Sequence, residues 1–202
     1  MVNIAVLISG SGTNLQSLID ACNSKEISGE IKVVISNKES AYGLTRAKNA
    51  NIKAIFEKDE TKVLQILKDE NIDLVVLAGY LAIISDEFIN QYKNKIINIH
   101  PSLIPAFCGS GYYGLRVHKK AFERGVKVAG ATVHFVSNVV DGGPIILQKA
   151  IDVSDCKSPE EMQEKILLNV EHKLLPEAVR LYCLGKVKVN DERVEIIWKE
   201  HL

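Results

Sequence analysis

Two polar residues at the end of a short apolar run could act together on a carbonyl group. Asn98 and His100 are separated by one residue in Asn98-Ile99-His100-Pro101-Ser102. In an extended strand, residues two apart point to the same side, so the Asn98 amide and the His100 imidazole can both donate to one oxyanion. This pattern is typical of acyl transfer, in which a tetrahedral intermediate gathers charge on oxygen.

A carboxylate from the second half of the chain would complete this set. Asp141 lies in the turn Val140-Asp141-Gly142-Gly143-Pro144. If the two halves of the chain converge, Asp141 can orient His100 and carry protons. A histidine before proline and an aspartate in a glycine turn also occur as purely structural residues, so the local sequence leaves both interpretations open.

A glycine-rich turn after the first apolar run predicts a phosphate site. Ser9-Gly10-Ser11-Gly12-Thr13-Asn14 precedes a helix that begins near Leu15. Glycines let the backbone approach an anion, while backbone amides and the positive helix end stabilise its charge, and the side chains of Thr13 and Asn14 add donors. Leu15 replaces the third glycine of the dinucleotide motif, and Ser36-Asn37-Lys38 offers no acid for a ribose. A monophosphate is therefore favoured over NAD.

The first half of the chain alternates short apolar runs with helical periodicity, which predicts parallel strands joined by helices. The predicted strands are residues 4–8, 31–36, 54–56, 74–78 and 96–99. The apolar helical faces are Leu15, Leu18, Ile19 and Cys22 in one helix and Val63, Ile66 and Leu67 in another. We expect ligands at the carboxyl edge of this sheet.

The pattern changes after Pro101. An aromatic, glycine-rich loop precedes a helix at 116–124, and two extended runs, 126–136 and 145–153, flank the Asp141 turn. Ser158 and Glu161 form a predicted capping box that opens a long helix. Four residues of this helix should face the sheet: Met162, Ile166, Val170 and Leu174. Pro176 should kink the helix or end it early, and a hairpin around Asn190-Asp191 closes the chain.

Composition limits the classes of function. The 202 residues are 47% apolar and 25% charged, which fits one globular domain over residues 1–202. Twenty-five basic and twenty-five acidic side chains leave no net charge to attract nucleic acid or an anionic membrane. No signal segment or membrane span is recognisable, so we expect a cytoplasmic protein. Four scattered cysteines, Cys22, Cys108, Cys156 and Cys183, predict unpaired thiols and no metal site.

In order along the chain, these motifs resemble the folate-dependent phosphoribosylglycinamide formyltransferases of purine biosynthesis. The resemblance covers nearly the entire chain and is carried by Ile8-Ser9-Gly10-Ser11-Gly12-Thr13-Asn14, Ser36-Asn37-Lys38, Val76-Leu77-Ala78-Gly79-Tyr80, Asn98-Ile99-His100-Pro101-Ser102-Leu103, Gly130-Ala131-Thr132-Val133-His134-Phe135-Val136 and Asp141-Gly142-Gly143-Pro144-Ile145-Ile146-Leu147-Gln148. It implies a single-domain α/β fold of the Rossmann type. A parallel sheet with helices on both faces forms a phosphate-binding half (1–100), and an antiparallel extension forms the folate-site and C-terminal half (101–202).

The resemblance also implies an activity and a site. The formyl group of 10-formyltetrahydrofolate, a co-substrate rather than a tightly bound cofactor, would pass to the amine of glycinamide ribonucleotide. Asn98 and His100 would polarise the formyl oxygen, while Asp141 would hold His100 charged and relay a proton. The implied substrate-binding residues are Gly12, Thr13, Asn14, Pro101 and Glu171, with Glu171 at the ribose. The implied folate-binding residues are Leu81, Ala82, Ile83, Ile84, Asn98, Val139, Val140 and Asp141.

The chain departs from the family pattern near the folate and after Pro105. Ala82 stands where many members have Arg, and either Lys58 or Lys62 could contact the folate tail. Residues 107–114 replace a short basic loop by a longer aromatic one, which we expect to act as a lid over the site. His118 and His134 are left outside the catalytic set, because nothing in the local sequence supplies either with a partner.

Two related enzymes and one binding protein are the alternatives. Formyltetrahydrofolate deformylase shares the trio but uses water as acceptor, and methionyl-tRNA formyltransferase uses a tRNA. We expect the first to carry an amino-terminal regulatory domain and the second a carboxy-terminal domain with a basic surface, which favours the ribonucleotide enzyme. A non-catalytic nucleotide-binding regulator would have no need of the trio. We expect a monomer or a weak homodimer.

Overall fold

In a computed structural model that describes residues 1–198, strands and helices alternate through the first half of the chain. The strands of the main sheet are β1 (Val2–Ile8), β2 (Gly29–Ser36), β3 (Lys53–Phe56), β4 (Leu74–Leu77), β5 (Ile96–His100), β6 (Val128–Phe135) and β7 (Ile145–Asp152). The α-helices are α1 (Thr13–Asn23), α2 (Tyr42–Asn49), α3 (Glu60–Asp69), α4 (Asp86–Gln91), α5 (Leu115–Arg124), α6 (Pro159–Ile166) and α7 (His172–Cys183). A π-helical segment, Leu167–Glu171, joins α6 to α7.

The main sheet has seven strands in the order β3-β2-β1-β4-β5-β6-β7. Strands β1 to β5 pair in parallel, while β6 and β7 add antiparallel pairs at the β5 edge. The predicted α/β fold, with its parallel first half and antiparallel extension, is therefore confirmed. Strand order reverses between β1 and β4, which is where ligands bind in open sheets of this kind.

Two hydrophobic cores form because alternate residues of each parallel strand point to opposite faces. On β1, Ile4, Val6 and Ile8 pack with α1, α2 and the long C-terminal helix, whereas Ala5 and Leu7 pack with α3 and α4. Both faces are covered, which explains why these strands are continuous apolar runs. Burial of each large aliphatic side chain contributes roughly 1.5–3 kcal/mol, so the sheet forms a rigid platform for the site.

The start of α6 confirms one half of the predicted capping box. The Ser158 hydroxyl accepts from the Glu161 backbone N–H at 3.1 Å. The Glu161 carboxylate, however, accepts from the backbone N–H of Lys157 at 2.8 Å, one residue before the cap. The reciprocal bond thus begins in the preceding loop rather than at Ser158.

The long helix does not end early at Pro176. Met162, Ile166 and Val170 are buried as predicted. The next fully buried residue of the helix is Leu175, whereas the predicted Leu174 is only half-buried. The π-helical segment causes this shift, because its wider turn adds a residue and rotates the following helix by one position. Pro176 is buried inside α7, which continues to Cys183.

The chain closes with an antiparallel hairpin of β8 (Val187–Asn190) and β9 (Arg193–Ile196). Its turn is Asp191-Glu192, one residue later than predicted, and Asp191 adopts a φ of 54°. A left-handed residue is usual in such tight connections. Within residues 1–198, no helix combines the length and the hydropathy needed to cross a membrane.

Candidate active site

A cavity of about 620 Å³ opens at the carboxyl ends of β1, β4 and β5. Its walls come from the glycine loop (10–14), the segment 77–84, the end of β5, the loop 109–114, the Asp141 turn and the helix that carries Glu171. The volume lies in the range of small-molecule sites. In the described part of the chain, no cluster of three or more His, Cys, Asp or Glu is arranged to hold a metal.

The structure brings Asn98, His100 and Asp141 together on one wall of this cavity. Asn98 and His100 occupy the last positions of β5, and Asp141 enters from the turn between β6 and β7. His100 Nδ1 lies 3.4 Å from Asp141 Oδ2, and the exposed fractions of the two side chains are 5% and 10%. Low exposure strengthens the attraction between the imidazole and the carboxylate relative to a pair in water.

Both ring nitrogens of His100 face acceptors. Nδ1 faces the carboxylate of Asp141, and Nε2 lies 3.0 Å from the carbonyl oxygen of Phe107. A neutral imidazole has one N–H and can donate to one of these acceptors at a time. The 3.4 Å contact with Asp141 is longer than a strong hydrogen bond, so the contact with Phe107 is the tighter of the two.

His134 fixes the orientation of Asn98. Its Nδ1 donates to the Phe135 carbonyl at 2.8 Å, and Asn98 Nδ2 lies 3.1 Å from Nε2. Burial lowers the pKa of His134 against the opposing effects of that carbonyl and of Asp141. The ring is therefore neutral and Nε2 accepts from the amide, so we read its 3.7 Å approach to Asp141 as proximity and not as an ion pair. One N–H of the Asn98 amide remains for a ligand.

The aromatic loop (residues 107–114) touches both members of the His100–Asp141 pair. The backbone N–H of Gly109 donates to Asp141 Oδ2 at 2.8 Å, and the Phe107 carbonyl faces His100. Within the loop, the rings of Phe107 and Tyr112 pack edge to face with centroids 6.4 Å apart. The loop lines the cavity from Gly109 to Gly114, and its action as a lid stays a prediction.

The glycine loop leads into α1 without a side-chain cap. Gly12 has a φ of 71°, and a Cβ added there would lie 2.6 Å from the Cα of Gly43, so only glycine fits. Arg46 supports the outer side of the loop by donating from Nε to the Ser11 carbonyl at 2.9 Å. Uncapped first-turn amides together with the helix dipole form a site suited to an anion.

Asn14, which the sequence predicts as a donor to phosphate, uses one N–H of its side-chain amide within the protein. Asn14 Nδ2 donates to Glu171 Oε2 at 2.8 Å, and the backbone N–H of Asn14 belongs to the first turn of α1. Glu171 is buried at the cavity wall, although a glutamate on such a helix is usually solvated. Burial raises the pKa of Glu171, and the hydrogen bond from Asn14 opposes the rise. The pair connects the glycine loop to the π-helical segment.

An apolar wall forms the opposite side of the cavity. Leu81, Ala82, Ile83 and Ile84 line it, and Ile83 is 85% exposed, which marks an uncovered apolar surface. Val140 joins this wall. Val139, predicted beside it, lines a separate depression next to the terminal hairpin. Val140 and Asp141 line this depression too, so the turn closed by the Gly142 N–H and the Val139 carbonyl stands between the cavity and the depression.

The residues that line the cavity include acids but neither Lys nor Arg within the described chain, so Lys58 and Lys62 both lie outside it. Two histidines outside the predicted catalytic set, His118 and His134, are cavity-lining residues. No local sequence signal identifies them. The partner of His134 comes from a neighbouring strand, and His118 reaches the cavity only through the packing of α5.

The known proteins that this chain resembles in sequence are formyltransferases. The formyl transferase family matches residues 2–179. Phosphoribosylglycinamide formyltransferase of Haemophilus influenzae is 42% identical, with 95% of this chain and 92% of that protein aligned. The Escherichia coli protein of the same name is 37% identical, over 94% of this chain and 91% of that protein.

Solved structures show the same fold. Glycinamide ribonucleotide transformylase 1 from Symbiobacterium toebii is 42% identical with a TM-score of 0.91, covering 98% of this chain and 94% of that chain. A formyltetrahydrofolate deformylase from Pseudomonas syringae pv. tomato is 28% identical with a TM-score of 0.87, covering 97% of this chain and 66% of that chain.

Proposed function

Because the chain belongs to the phosphoribosylglycinamide formyltransferase family, we propose that it transfers the formyl group of 10-formyltetrahydrofolate to the amine of glycinamide ribonucleotide. The products are formylglycinamide ribonucleotide and tetrahydrofolate, in de novo purine biosynthesis. The observation that carries this function is the meeting of Asn98, His100 and Asp141 in a cavity that also holds the glycine loop and an apolar wall.

The acceptor lies along the glycine loop. Backbone amides of Gly12, Thr13 and Asn14 bind its phosphate, and the Thr13 hydroxyl adds a donor. Glu171 accepts from the ribose hydroxyls with the oxygen that Asn14 leaves free. Pro101 borders the reacting amine after the end of β5. A carboxylate that is already held by Asn14 needs little reorganisation when the ribose binds.

The donor lies against the apolar wall. Leu81, Ala82, Ile83 and Ile84 cover the flat ring system of the folate, and the Asp141 turn borders it through Val140. Val139 lines the neighbouring depression and not the cavity, so it contacts the donor only if the turn changes conformation. The folate leaves after each turnover, so it is a co-substrate and no tightly bound cofactor is involved.

The chemistry follows from the donors around the formyl oxygen. Attack of the amine on the formyl carbon forms the new C–N bond and places negative charge on that oxygen, which Asn98 and His100 stabilise. Collapse of the intermediate breaks the bond to the folate nitrogen N10. Asp141, directly or through water, relays the proton from the attacking amine to N10. No Ser or Cys nucleophile is needed, because the amine attacks directly.

Residues 1–202 work as one domain in this proposal, with the phosphate bound by residues 1–100 and the folate mainly by 101–202 together with the 81–84 segment. The enzyme acts in the cytoplasm, as a monomer or weak homodimer, on two small molecules and without nucleic acid or membrane. The zero formal net charge favours small, locally recognised ligands over a polyanion.

Deformylation is the second candidate function, since a deformylase of known structure shares the fold at a TM-score of 0.87. The protein is mixed with the formylated folate, with and without glycinamide ribonucleotide, and the folate absorbance is followed together with formate. Formylated ribonucleotide formed only with both substrates supports the proposal. Formate released at the same rate without the acceptor supports deformylation, and ribonucleotide binding without turnover supports a regulator.

A further inference from the structure

We propose that Ser9 is a positioning residue that holds the apolar wall at a fixed place relative to the glycine loop, and so aligns the formyl donor with the acceptor. The role rests on the proposed function, because it takes the donor to lie on this wall. Ser9 is not among the residues that line the cavity, so it acts on the ligands only through the residues that it holds.

The segment that carries the apolar wall, residues 79–84, belongs to no helix or strand. It follows β4 and begins with Gly79 at a φ of 74°. Leu81 and Ile83 are 50% and 85% exposed, so their side chains pack little against the protein. A segment with an irregular backbone and exposed side chains depends on a few hydrogen bonds for a fixed position.

Ser9 makes both hydrogen bonds that hold the start of this segment. Its backbone N–H donates to the Gly79 carbonyl at 3.1 Å, and its hydroxyl accepts from the Leu81 N–H at 2.9 Å. Within residues 1–198, no other hydrogen bond reaches the backbone of residues 79–84. The next anchor follows the segment, where the Ser85 N–H donates to the Glu60 carboxylate at 3.0 Å.

Asn37 orients the Ser9 hydroxyl for this contact. The hydroxyl donates to Asn37 Oδ1 at 2.6 Å, so its hydrogen points to the end of β2 and a lone pair is left for Leu81. Ser9 is 4% exposed, so water does not readily replace either partner. The hydroxyl is therefore a fixed acceptor rather than a freely rotating group.

The position of Ser9 in the chain connects the two substrate sites. Ser9 follows β1 directly, and the next residue, Gly10, begins the lining of the glycine loop. One residue thus borders the phosphate site through the backbone and the donor site through its hydroxyl. Without the hydroxyl, the wall would also populate other conformations, and donor affinity would fall with the fraction of molecules in which the wall is in place.

The test compares the wild type with Ser9→Ala, which removes the hydroxyl and keeps the backbone bond to Gly79. The exposed Ser24→Ala controls for the loss of a serine hydroxyl elsewhere. For Ser9→Ala we expect the KM for 10-formyltetrahydrofolate to rise about 5-fold, the scale of one net hydrogen bond. The KM for glycinamide ribonucleotide should stay within about 2-fold, since backbone amides of the glycine loop bind its phosphate.

Hydrogen exchange of the free protein, followed by NMR, separates positioning from a general loss of stability. In Ser9→Ala the Leu81 amide should exchange at least ~10-fold faster than in the wild type. The Ala78 amide, which donates to the Leu7 carbonyl at 2.9 Å, should keep its rate. An unchanged donor KM or an unchanged Leu81 rate overturns the proposal. So does an equal rise in both KM values, or equal acceleration at Leu81 and Ala78.

Ser9→Cys applies the same criteria if the alanine variant does not fold, because a thiol is of similar size and only a weak acceptor. Absence of turnover in the wild-type protein overturns the proposed function and this role with it. Normal wild-type turnover with unchanged constants in the variants overturns only the role of Ser9.

Discussion

Asp141 connects the aromatic loop to His100. Its Oδ2 accepts from the Gly109 N–H at 2.8 Å and lies 3.4 Å from His100 Nδ1, so one oxygen holds both the aromatic loop and the imidazole. An amide in its place could keep the shape but has no negative charge and could not take up a proton. We therefore expect the charge of Asp141 to matter more for the reaction than its packing.

We predict that Asp141→Asn lowers kcat at least ~10²-fold, the scale of a lost acid–base group. Ribonucleotide affinity should remain nearly intact, because the glycine loop and Glu171 are separate from this turn. Steady-state kinetics and calorimetric titration measure the two quantities, with the exposed Asp155→Asn as the matched control. Wild-type turnover in Asp141→Asn would remove this carboxylate from the mechanism.

His134 positions the amide of Asn98. Its neutral ring accepts from Asn98 Nδ2, and the reverse amide orientation would set the amide oxygen against the lone pair of Nε2. We predict that His134→Phe lowers kcat about 10-fold, a part of the ~10²–10³-fold value of an oxyanion donor, with a small change in either KM. His134→Gln, which can still accept from Asn98, should retain more activity. Equal losses in both variants would contradict this role.

The π-helical segment is the element that the periodicity of the sequence does not predict. Met162, Ile166 and Val170 follow the spacing of an α-helix, and that spacing alone would carry the pattern to Leu174. The wider turn places Val170 and Glu171 both inside, so it provides a core residue and a site residue in succession. Such turns are frequent at functional sites. Here the turn explains why a helix glutamate is not solvated.

The buried position of Glu171 should make the stability of the protein depend on pH. Burial raises its pKa in the folded state, so between the ordinary glutamate pKa and the raised value the folded protein binds more protons than the unfolded chain. Its contribution to stability is greatest at low pH and falls as pH rises through that window. We predict that Glu171→Gln has a higher Tm than the wild type at neutral pH, and that the difference shrinks below about pH 4, near the ordinary glutamate pKa.

The same variant should bind the acceptor at least ~10-fold more weakly, since it loses a charge-assisted hydrogen bond to the ribose. Thermal unfolding across pH and calorimetric titration give the two readouts, with the exposed Glu123→Gln as control. A Tm difference that does not vary with pH would contradict the ionisation argument. Unchanged acceptor affinity would contradict the ribose contact.

The sequence predicts well those features that depend on residues close together in the chain. Alternation places Asn98 and His100 on one side of β5, and the glycine loop follows β1 as expected. Features set by long-range packing are not predictable in this way. The Asn14–Glu171 hydrogen bond spans 157 positions, and His118 reaches the cavity through α5 with no motif around it. Val139 faces outward because of a turn whose geometry its sequence does not fix.

At the scale of the whole molecule, the site is assembled from both halves of the chain around the reversal point of the sheet. Ser9 links the two ligand walls, because its hydroxyl donates to Asn37 Oδ1 at 2.6 Å and accepts from the backbone N–H of Leu81 at 2.9 Å. The Asp141 carboxylate lies in the turn between β6 and β7, within the antiparallel extension. The parallel half therefore supplies binding surfaces, and the extension closes the reacting centre over them.

The charge balance of the molecule leads to a prediction about salt. The chain has equal numbers of basic and acidic side chains, and the described cavity lining contains Asp and Glu but no Lys or Arg. A phosphate held by backbone amides, without a cationic surface to steer it, should be little affected by ionic screening. We predict that kcat/KM for the ribonucleotide falls less than ~3-fold between 50 and 300 mM KCl, because a Debye length that shortens from roughly 14 to roughly 6 Å still exceeds the length of direct amide contacts. Ala82→Arg supplies the comparison, since a cation at the apolar wall should make the KM of an anionic folate salt-dependent.

A fall above about 10-fold in the wild type would contradict this prediction. It would show that a basic side chain joins the phosphate site on binding, and Arg46 beside the glycine loop is the first candidate.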